Sequence, residues 1–177
     1  MRTETTTRTL YRYDELTEDG KRAAIEGLAD INVDHDWWDC LYEDAKTVGI
    51  KLTSFDLDRS RGATGNFIEG AEDTANLVIE NHGEPCETYK TSQGYISDRA
   101  ELVKKYSDGK AINIVSEDNE YDFDAECDEL DAEYLKSIIE DYSILLQKEY
   151  EYLTSDDAIV ETIEANEYEF TEDGELA

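Results

Sequence analysis

The chain of 177 residues carries 46 acidic and 16 basic side chains, which give it a net charge of −30 at pH 7. A charge of that sign excludes direct binding to nucleic acid or to an anionic membrane, and it favours a cationic partner such as a protein surface that holds DNA or RNA. Hydrophobic residues make up 39% of the chain, enough for a packed core. The acidity is concentrated in residues 116–177, which hold 23 acids and 2 bases, so a local cause is favoured over a general adaptation to salt.

The first elements are a short strand and two helices. "RTLYRY" at 8–13 is typical of a strand, and Thr17 has the position of an N-cap for the helix that follows it. Apolar residues at helical spacing predict a second helix over 34–49, with Asp34 or Asp36 as its cap.

A hairpin is predicted next. Residues 50–57 are partly alternating, and the alternation slips between Leu52 and Phe55, which predicts a β-bulge. Gly62 and Gly65 are expected to supply the turn, and the return strand is expected to follow them.

Two helices and a short strand are predicted after the hairpin. The first helix covers 71–83. A helical turn follows, and the second helix starts from about Ser97 with Leu102 and Val103 facing inward. "AINIV" at 111–115 has the pattern of a short strand.

The last third is predicted to be mainly helical. Apolar residues recur every three or four positions from about Asp128 to Leu153, Ser155 has the position of a cap for one more helix, and 168–171 has the pattern of a terminal strand. The acidic stretch 116–126 is expected to be a loop that leads into the long helix.

These elements predict an α+β fold for 1–177 as a single domain, with 116–177 as a strongly acidic helical half. Five to six helices would pack on a small antiparallel sheet of about four strands, in which the first and last strands pair. The strands are expected near residues 8–13, 50–57, 66–69 and 168–171.

Nothing in the sequence indicates a catalytic site, and we expect a binding protein rather than an enzyme. His35 and His82 are the only histidines, and the chain contains no GxSxG, HExxH, P-loop or GxGxxG motif. His82 and Cys86 are spaced like half of a zinc site that no further motif completes. No catalytic residue, metal ligand or cofactor is therefore assigned.

Binding of a divalent cation remains a further alternative. Asp118, Glu120 and Asp122 follow the spacing of calcium ligands, but Phe123 occupies the position where an EF-hand loop needs glycine. The pair formed by Asp56 and Asp58 would also face one side of a strand.

The acids of the last third are also spaced in a way that suits nucleic-acid mimicry. Acids three or four residues apart on a helix lie roughly 5–6 Å apart, a spacing comparable to that of successive phosphates along one strand. A solvated acidic face without a partner is the competing interpretation. The residues predicted to bind a basic partner are Asp128, Glu129, Asp131, Glu133, Glu140, Asp141, Asp156 and Asp157.

Several stretches resemble a family of small acidic proteins from bacteriophages, prophages and mobile elements. Tyr11–Leu16 and Asp36–Trp38 match the family's opening strand and its "DWW" helix, and "GIKLTSFDLDR", "NHGEPCETYKT" and "YLTSDDAIVETIEANEYEFTEDG" are similar to later stretches. The resemblance implies a mobile-element origin and an intracellular role. It implies no catalytic residue, although some members are loosely labelled antitoxins.

The predicted function is that of a phage-type anti-defence inhibitor, anti-CRISPR or anti-restriction, that mimics nucleic acid. Its partner would be a basic nucleic-acid-binding protein or nuclease complex of the host. The alternative is an antitoxin-like or adaptor protein that binds a basic protein through an apolar centre such as Trp37 or Tyr89.

The expected location is the cytoplasm. No apolar run is long enough to span a bilayer or resembles a signal peptide, and the three cysteines form no disulfide framework. The oligomeric state stays open, a homodimer included.

Overall fold

The computed structural model of the chain describes residue 2 and residues 7–58, 62–107 and 117–177, with the backbone alone for 117–122. Within these residues the chain forms six α-helices and four short strands, which confirms the predicted α+β class. The residues group into two compact units, Met1–Trp37 with Lys148–Ala177 and Trp38–Gln147. We name them the terminal unit and the central unit. That the whole chain is a single domain stays a prediction.

In the terminal unit the two ends of the chain pair as predicted. Strand β1 (Tyr11–Arg12) runs antiparallel to strand β4 (Glu169–Phe170), with Tyr11 opposite Phe170. Helix α1 (Glu18–Gly27) and helix α6 (Asp156–Ala165) pack around these strands. Their shared core consists of Leu16, Ala24, Ile159, Ile163 and Phe170.

Both predicted helix caps of this unit are present. The Thr17 hydroxyl accepts a hydrogen bond from the Gly20 amide at 3.1 Å, and the Ser155 hydroxyl accepts one from the Ala158 amide at 3.3 Å. Each bond satisfies one of the amide groups that a helix start leaves without an intrahelical partner.

The central unit contains α2 (Asp39–Thr47), β2 (Ile50–Asp56), β3 (Gly62–Phe67), α3 (Ala71–Asn81), α4 (Glu87–Ser107) and most of α5 (Glu117–Leu153). Helix α2 begins later than predicted: Trp38 rather than Asp34 or Asp36 occupies its N-cap position, and its side chain makes no capping hydrogen bond. The elements other than β3 supply the buried core of the unit: Ala45, Val48, Ile50, Leu52, Ala71, Ala75, Val78, Tyr95, Tyr134, Ile138, Ile139 and Tyr142. Ala63 and Phe67 of β3 are partly buried and pack against this core.

The β2–β3 hairpin confirms the predicted bulge and corrects the prediction for its glycines. The register shifts between Leu52 and Ser54, at the slip in the apolar pattern. Gly62 and Gly65 lie within β3 and not in the turn. A Cβ atom at Gly65 would lie 2.7 Å from Ile139 Cδ1 and 2.8 Å from the Lys51 carbonyl oxygen, so close packing rather than a turn requires glycine there.

The four strands form two separate two-stranded sheets, β1–β4 and β2–β3, where the sequence predicted one sheet. Residues 59–61 and the predicted strand 111–115 lie outside the described residues.

Helix α4 starts ten residues before the predicted Ser97. Its buried inner face begins with Thr88 and Ser92, followed by Tyr95. Because two of these residues are polar, the apolar period does not reveal the first turns of the helix. Val103 was predicted to face inward and is instead 46% exposed.

Helix α5 is longer than predicted. It ends at Leu153 as expected but begins at Glu117, so the predicted loop over 116–126 is helical from its second residue onward. The last six residues of the helix belong to the terminal unit. Among the described residues, no helix is both long and apolar enough to cross a membrane.

Candidate functional site

The apolar stripe of α5 faces the core of the central unit and so determines the direction of the helix's acids. Tyr134, Ile138 and Tyr142 are buried in the core of the central unit at spacings of four residues. The helix carries 14 acids and 2 lysines along its length. Since the stripe faces the core, most of the acids are directed away from it, as in any amphipathic helix.

Helices α4 and α5 run antiparallel, and polar bonds join them along their length. Thr91 near the start of α4 bonds Asp141, Tyr95 bonds Asp131, and Lys105 near the end of α4 bonds Glu126. The partner on α5 moves towards the N-terminus as α4 advances. A buried bond of 2.7 Å between the Ser92 and Tyr134 hydroxyls lies between these contacts.

Asp131 holds α5 against α4. Its Oδ1 accepts a hydrogen bond from the Tyr95 hydroxyl at 2.6 Å and one from Arg99 Nη1 at 3.1 Å. Arg99 also donates to Glu72 on α3 at 3.0 Å. Burial and the bond to Asp131 raise the pKa of Tyr95, which keeps its hydroxyl protonated as the donor. Asp131 is therefore an internal ion-pair residue.

Asp141 has a similar internal role. It is half-buried, and its Oδ2 accepts a hydrogen bond from the Thr91 hydroxyl at 2.6 Å. Burial raises the pKa of the Asp141 carboxyl, and the threonine bond opposes that rise. Two of the eight predicted binding residues are thus engaged inside the central unit.

Four of the predicted residues form an exposed group on α5: Asp128, Glu129, Glu133 and Glu140. None of them has an ion pair among the described residues. Glu129, Glu133 and Glu140 share one face, because steps of 4 and 11 residues are about one and three helical turns, and they span about 17 Å. Asp128 lies on the flank of this row.

Asp156 and Asp157 belong to the terminal unit. Both are exposed in the first turn of α6, directly after its Ser155 cap. Acids in a first turn stabilise a helix through its dipole, so these two residues have a local role there.

Helix α4 contributes acids that the sequence prediction missed. Asp98 and Glu101 are exposed and, with Glu129 and Glu133 of α5, line a groove of about 400 Å³ between the two helices. The signal in the sequence is the i, i+3 spacing of Asp98 and Glu101, which places both on one helix face. Two acids on α4 are a weak signal beside the much denser acidity of the last third.

His82 belongs to a partly buried polar network of the central unit. Its Nδ1 lies 2.7 Å from the Thr88 hydroxyl, and its Nε2 lies 3.5 Å from Asp44 Oδ1. The other oxygen of Asp44 accepts a hydrogen bond from the Tyr142 hydroxyl at 2.8 Å. Burial and this bond to Asp44 raise the pKa of Tyr142. Because Thr88 is only 3% exposed, its hydroxyl is screened from solutes. Its contact with His82, the C-cap residue of α3, connects α4 to the end of α3.

The described residues contain no group of three or more His, Cys, Asp or Glu side chains placed to hold a metal ion. Of the predicted strand pair, Asp56 accepts a hydrogen bond from the backbone amide of Asp58 at 2.8 Å, which is a local turn contact. The side chains of 118, 120 and 122 lie outside the described part of the chain.

The two predicted apolar anchors lie in different units. Trp37 is half-buried against Tyr150 in the terminal unit, with their ring centroids 5.7 Å apart. Tyr89 is half-buried on α4 in the central unit. Neither anchor is part of the acidic row on α5.

Comparison of the chain with protein-family models, with curated proteins and with solved structures finds no match. The resemblance to small acidic proteins of phages and mobile elements therefore stays a prediction.

Proposed function

We propose that the protein is a nucleic-acid mimic that inhibits a basic nucleic-acid-binding protein or nuclease complex of a bacterial host, in the manner of anti-CRISPR or anti-restriction proteins. The proposed contact surface is the exposed acidic row of α5, formed by Asp128, Glu129, Glu133 and Glu140. The protein would act by occupancy, without a catalytic residue or cofactor, in the cytoplasm of the infected or host cell.

The observation that carries the proposal is the contrast between these four acids and their neighbours. Asp131 and Asp141 have internal hydrogen-bond partners, whereas the row has exposed carboxylates without an ion pair among the described residues. The internal bonds fix α5 on α4, so the row is held on an ordered helix before any partner arrives. A preordered row of like charges loses little conformational entropy on binding, which favours association with a cationic groove.

An exposed acidic face without a partner would show the same charges, so the test must be a binding assay. A fluorescein-labelled DNA duplex is first bound to members of a panel that contains CRISPR effectors, restriction endonucleases and one basic toxin. The native protein is expected to displace the duplex from at least one nuclease. Displacement should weaken as salt rises, because contacts between exposed charges are screened.

The decisive comparison uses two variants of equal charge. The row variant carries Asp128→Lys, Glu129→Lys, Glu133→Lys and Glu140→Lys. Its control reverses four exposed acids outside the row that have no ion pair among the described residues: Glu26, Glu69, Glu80 and Glu84. Both variants change the net charge from −30 to −22.

Loss of displacement in the row variant alone supports the proposal, with native-like circular dichroism as the check on folding. Equal displacement by both variants would contradict it, because the location of the charges would then be irrelevant. Capture of the basic toxin instead of any nuclease would favour the antitoxin-like alternative.

A further inference from the structure

The groove between α4 and α5 has two acidic rims. Asp98 and Glu101 form the rim on α4, and Glu129 and Glu133 form the rim on α5. All four are exposed, and none has an ion pair within the described part of the chain. Like charges that face each other across a groove oppose close approach of the two helices, so their arrangement works against folding and is suited to a cationic ligand.

The floor of the groove is apolar. Leu102 of α4 and Leu130 of α5 are half-buried between the rims. A second groove of about 300 Å³ shares Asp98, Leu130 and Glu133 and continues to Gly94, where a Cβ atom would meet nothing within 4 Å except the adjacent backbone of its own helix. The space therefore extends over the 12 residues from Gly94 to Lys105, or about 17 Å of α4.

An ion pair between a lysine of α4 and an acid of α5 lies at one end of the groove. Lys105 Nζ lies 2.7 Å and 2.6 Å from the two carboxylate oxygens of Glu126, and the Tyr106 hydroxyl donates to the same carboxylate at 2.8 Å. These two donors lower the pKa of Glu126. The remaining rim acids have no such cation beside them among the described residues.

We infer that this groove is the docking site for a basic amphipathic helix of a partner protein. An apolar seam flanked by acids on both sides is the complement of a helix whose apolar seam is flanked by Lys or Arg, as at the e and g positions of coiled coils. The partner helix would lie on Leu102 and Leu130 and pair its cations with both rims. The inference rests on the proposed function and deepens it, since it names the element of the basic partner that is recognised.

The test uses a fluorescein-labelled helical peptide of three heptads, with Leu at a and d and Lys at e and g. Lysines at e and g repel one another, which keeps the peptide from pairing with itself. Two control peptides replace either every Leu by Ser or every Lys by Glu. Binding is followed by fluorescence anisotropy, and the site is located by amide chemical-shift changes on α4 and α5.

The protein variants carry Glu101→Gln with Glu129→Gln, one change on each rim. We expect the Leu–Lys peptide to bind the native protein and to bind this double variant about 2- to 30-fold more weakly, given the usual strength of two exposed ion pairs. The matched control, Glu80→Gln with Glu84→Gln, removes the same charge from the central unit outside the groove and should bind like the native protein.

The inference is overturned if the Leu–Lys peptide does not bind, if the Ser–Lys peptide binds equally well, or if both double variants lose binding equally. The result can be separated from the proposed function. Peptide binding in the groove without displacement of DNA from any nuclease would support the docking groove and contradict the proposed nucleic-acid mimicry. Displacement of DNA that is unaffected by Glu101→Gln with Glu129→Gln would contradict the docking groove and leave the proposed function standing.

Discussion

Replacement of Asp131 distinguishes the acids that hold α5 in place from those that face solvent. Asp131 Oδ1 accepts both the Tyr95 hydroxyl and Arg99 Nη1, at 2.6 Å and 3.1 Å. Tyr95 is only 4% exposed, so loss of its acceptor leaves a buried hydroxyl without its partner. Glu133, two residues further along α5, is exposed and serves as the matched control.

The expected magnitude follows from these two bonds. The bond from the buried Tyr95 hydroxyl to the charged carboxylate contributes about 1.5–3 kcal/mol, whereas the partly exposed ion pair with Arg99 is screened by solvent and adds little. Alanine regains up to about 0.7 kcal/mol in helix propensity relative to aspartate. Asp131→Ala should therefore lower the free energy of unfolding by about 1–2.5 kcal/mol, or lower the Tm by roughly 2–10 °C for a chain of this size. Asp131→Asn keeps Oδ1 as an acceptor but loses the charge, so about half of that loss is expected.

Urea unfolding followed by far-ultraviolet circular dichroism measures all of these proteins in one series. The expected order of stability is native, Asp131→Asn, then Asp131→Ala, with Glu133→Gln within about 0.5 kcal/mol of native as for other surface substitutions. The division of roles is refuted if Asp131→Ala is as stable as native, or if Glu133→Gln is the more damaging change.

Three further predictions concern single residues of the two units. Gly174 has a φ of 84°, and a Cβ atom there would lie 3.0 Å from the Ala24 amide nitrogen, so Gly174→Ala should lower thermal stability by about 1–3 kcal/mol; an unchanged Tm would contradict this. Cys40 and Cys86 are exposed, whereas Cys127 is buried and burial raises the pKa of its thiol. A colourimetric thiol reagent should therefore titrate two thiols in the native protein and the third only in denaturant. Rapid reaction of all three thiols in the native protein would refute the assignment. Burial raises the pKa of the Asp141 carboxyl above its ordinary 3.8, so the folded protein binds this proton more readily than the unfolded chain and gains stability from it as the pH falls towards 3.8. Urea unfolding between pH 7 and about pH 4.5 should show a smaller gain for Asp141→Asn than for the native protein, and an equal gain would exclude this carboxyl as the cause.

Features of the fold that depend on neighbouring residues could be predicted from the sequence. The caps at Thr17 and Ser155 were found because a cap acts on an amide only three residues away. The bulge near Leu52 was found because an irregular strand breaks the alternation of its own side chains.

Features of the fold that depend on packing between distant parts of the chain could not be predicted from the sequence. Gly65 was expected in a turn, but it is required by the approach of Ile139 and of the Lys51 carbonyl group. Before Ser97 only a helical turn was predicted, because the polar residues Thr88 and Ser92 occupy the buried face of α4 there.

The candidate site shows the same limit. The sequence placed eight acids in one set, and it offered no way to separate Asp131 and Asp141 from the rest. Their partners, Tyr95 and Thr91, lie 36 and 50 residues away in the chain. The spacing of Glu129, Glu133 and Glu140 on one face was readable, because it depends on helix geometry alone.

The central claim is that the position of the exposed acids on α5 determines binding to a basic nucleic-acid-binding protein. The most direct measurement is displacement of labelled duplex DNA from a host nuclease by the native protein, by the row variant at Asp128, Glu129, Glu133 and Glu140, and by the control variant of equal net charge. The account predicts that the native protein and the control variant displace the duplex and that the row variant does not. Displacement of the duplex by the row variant, at the same concentration at which the native protein displaces it, would contradict the account.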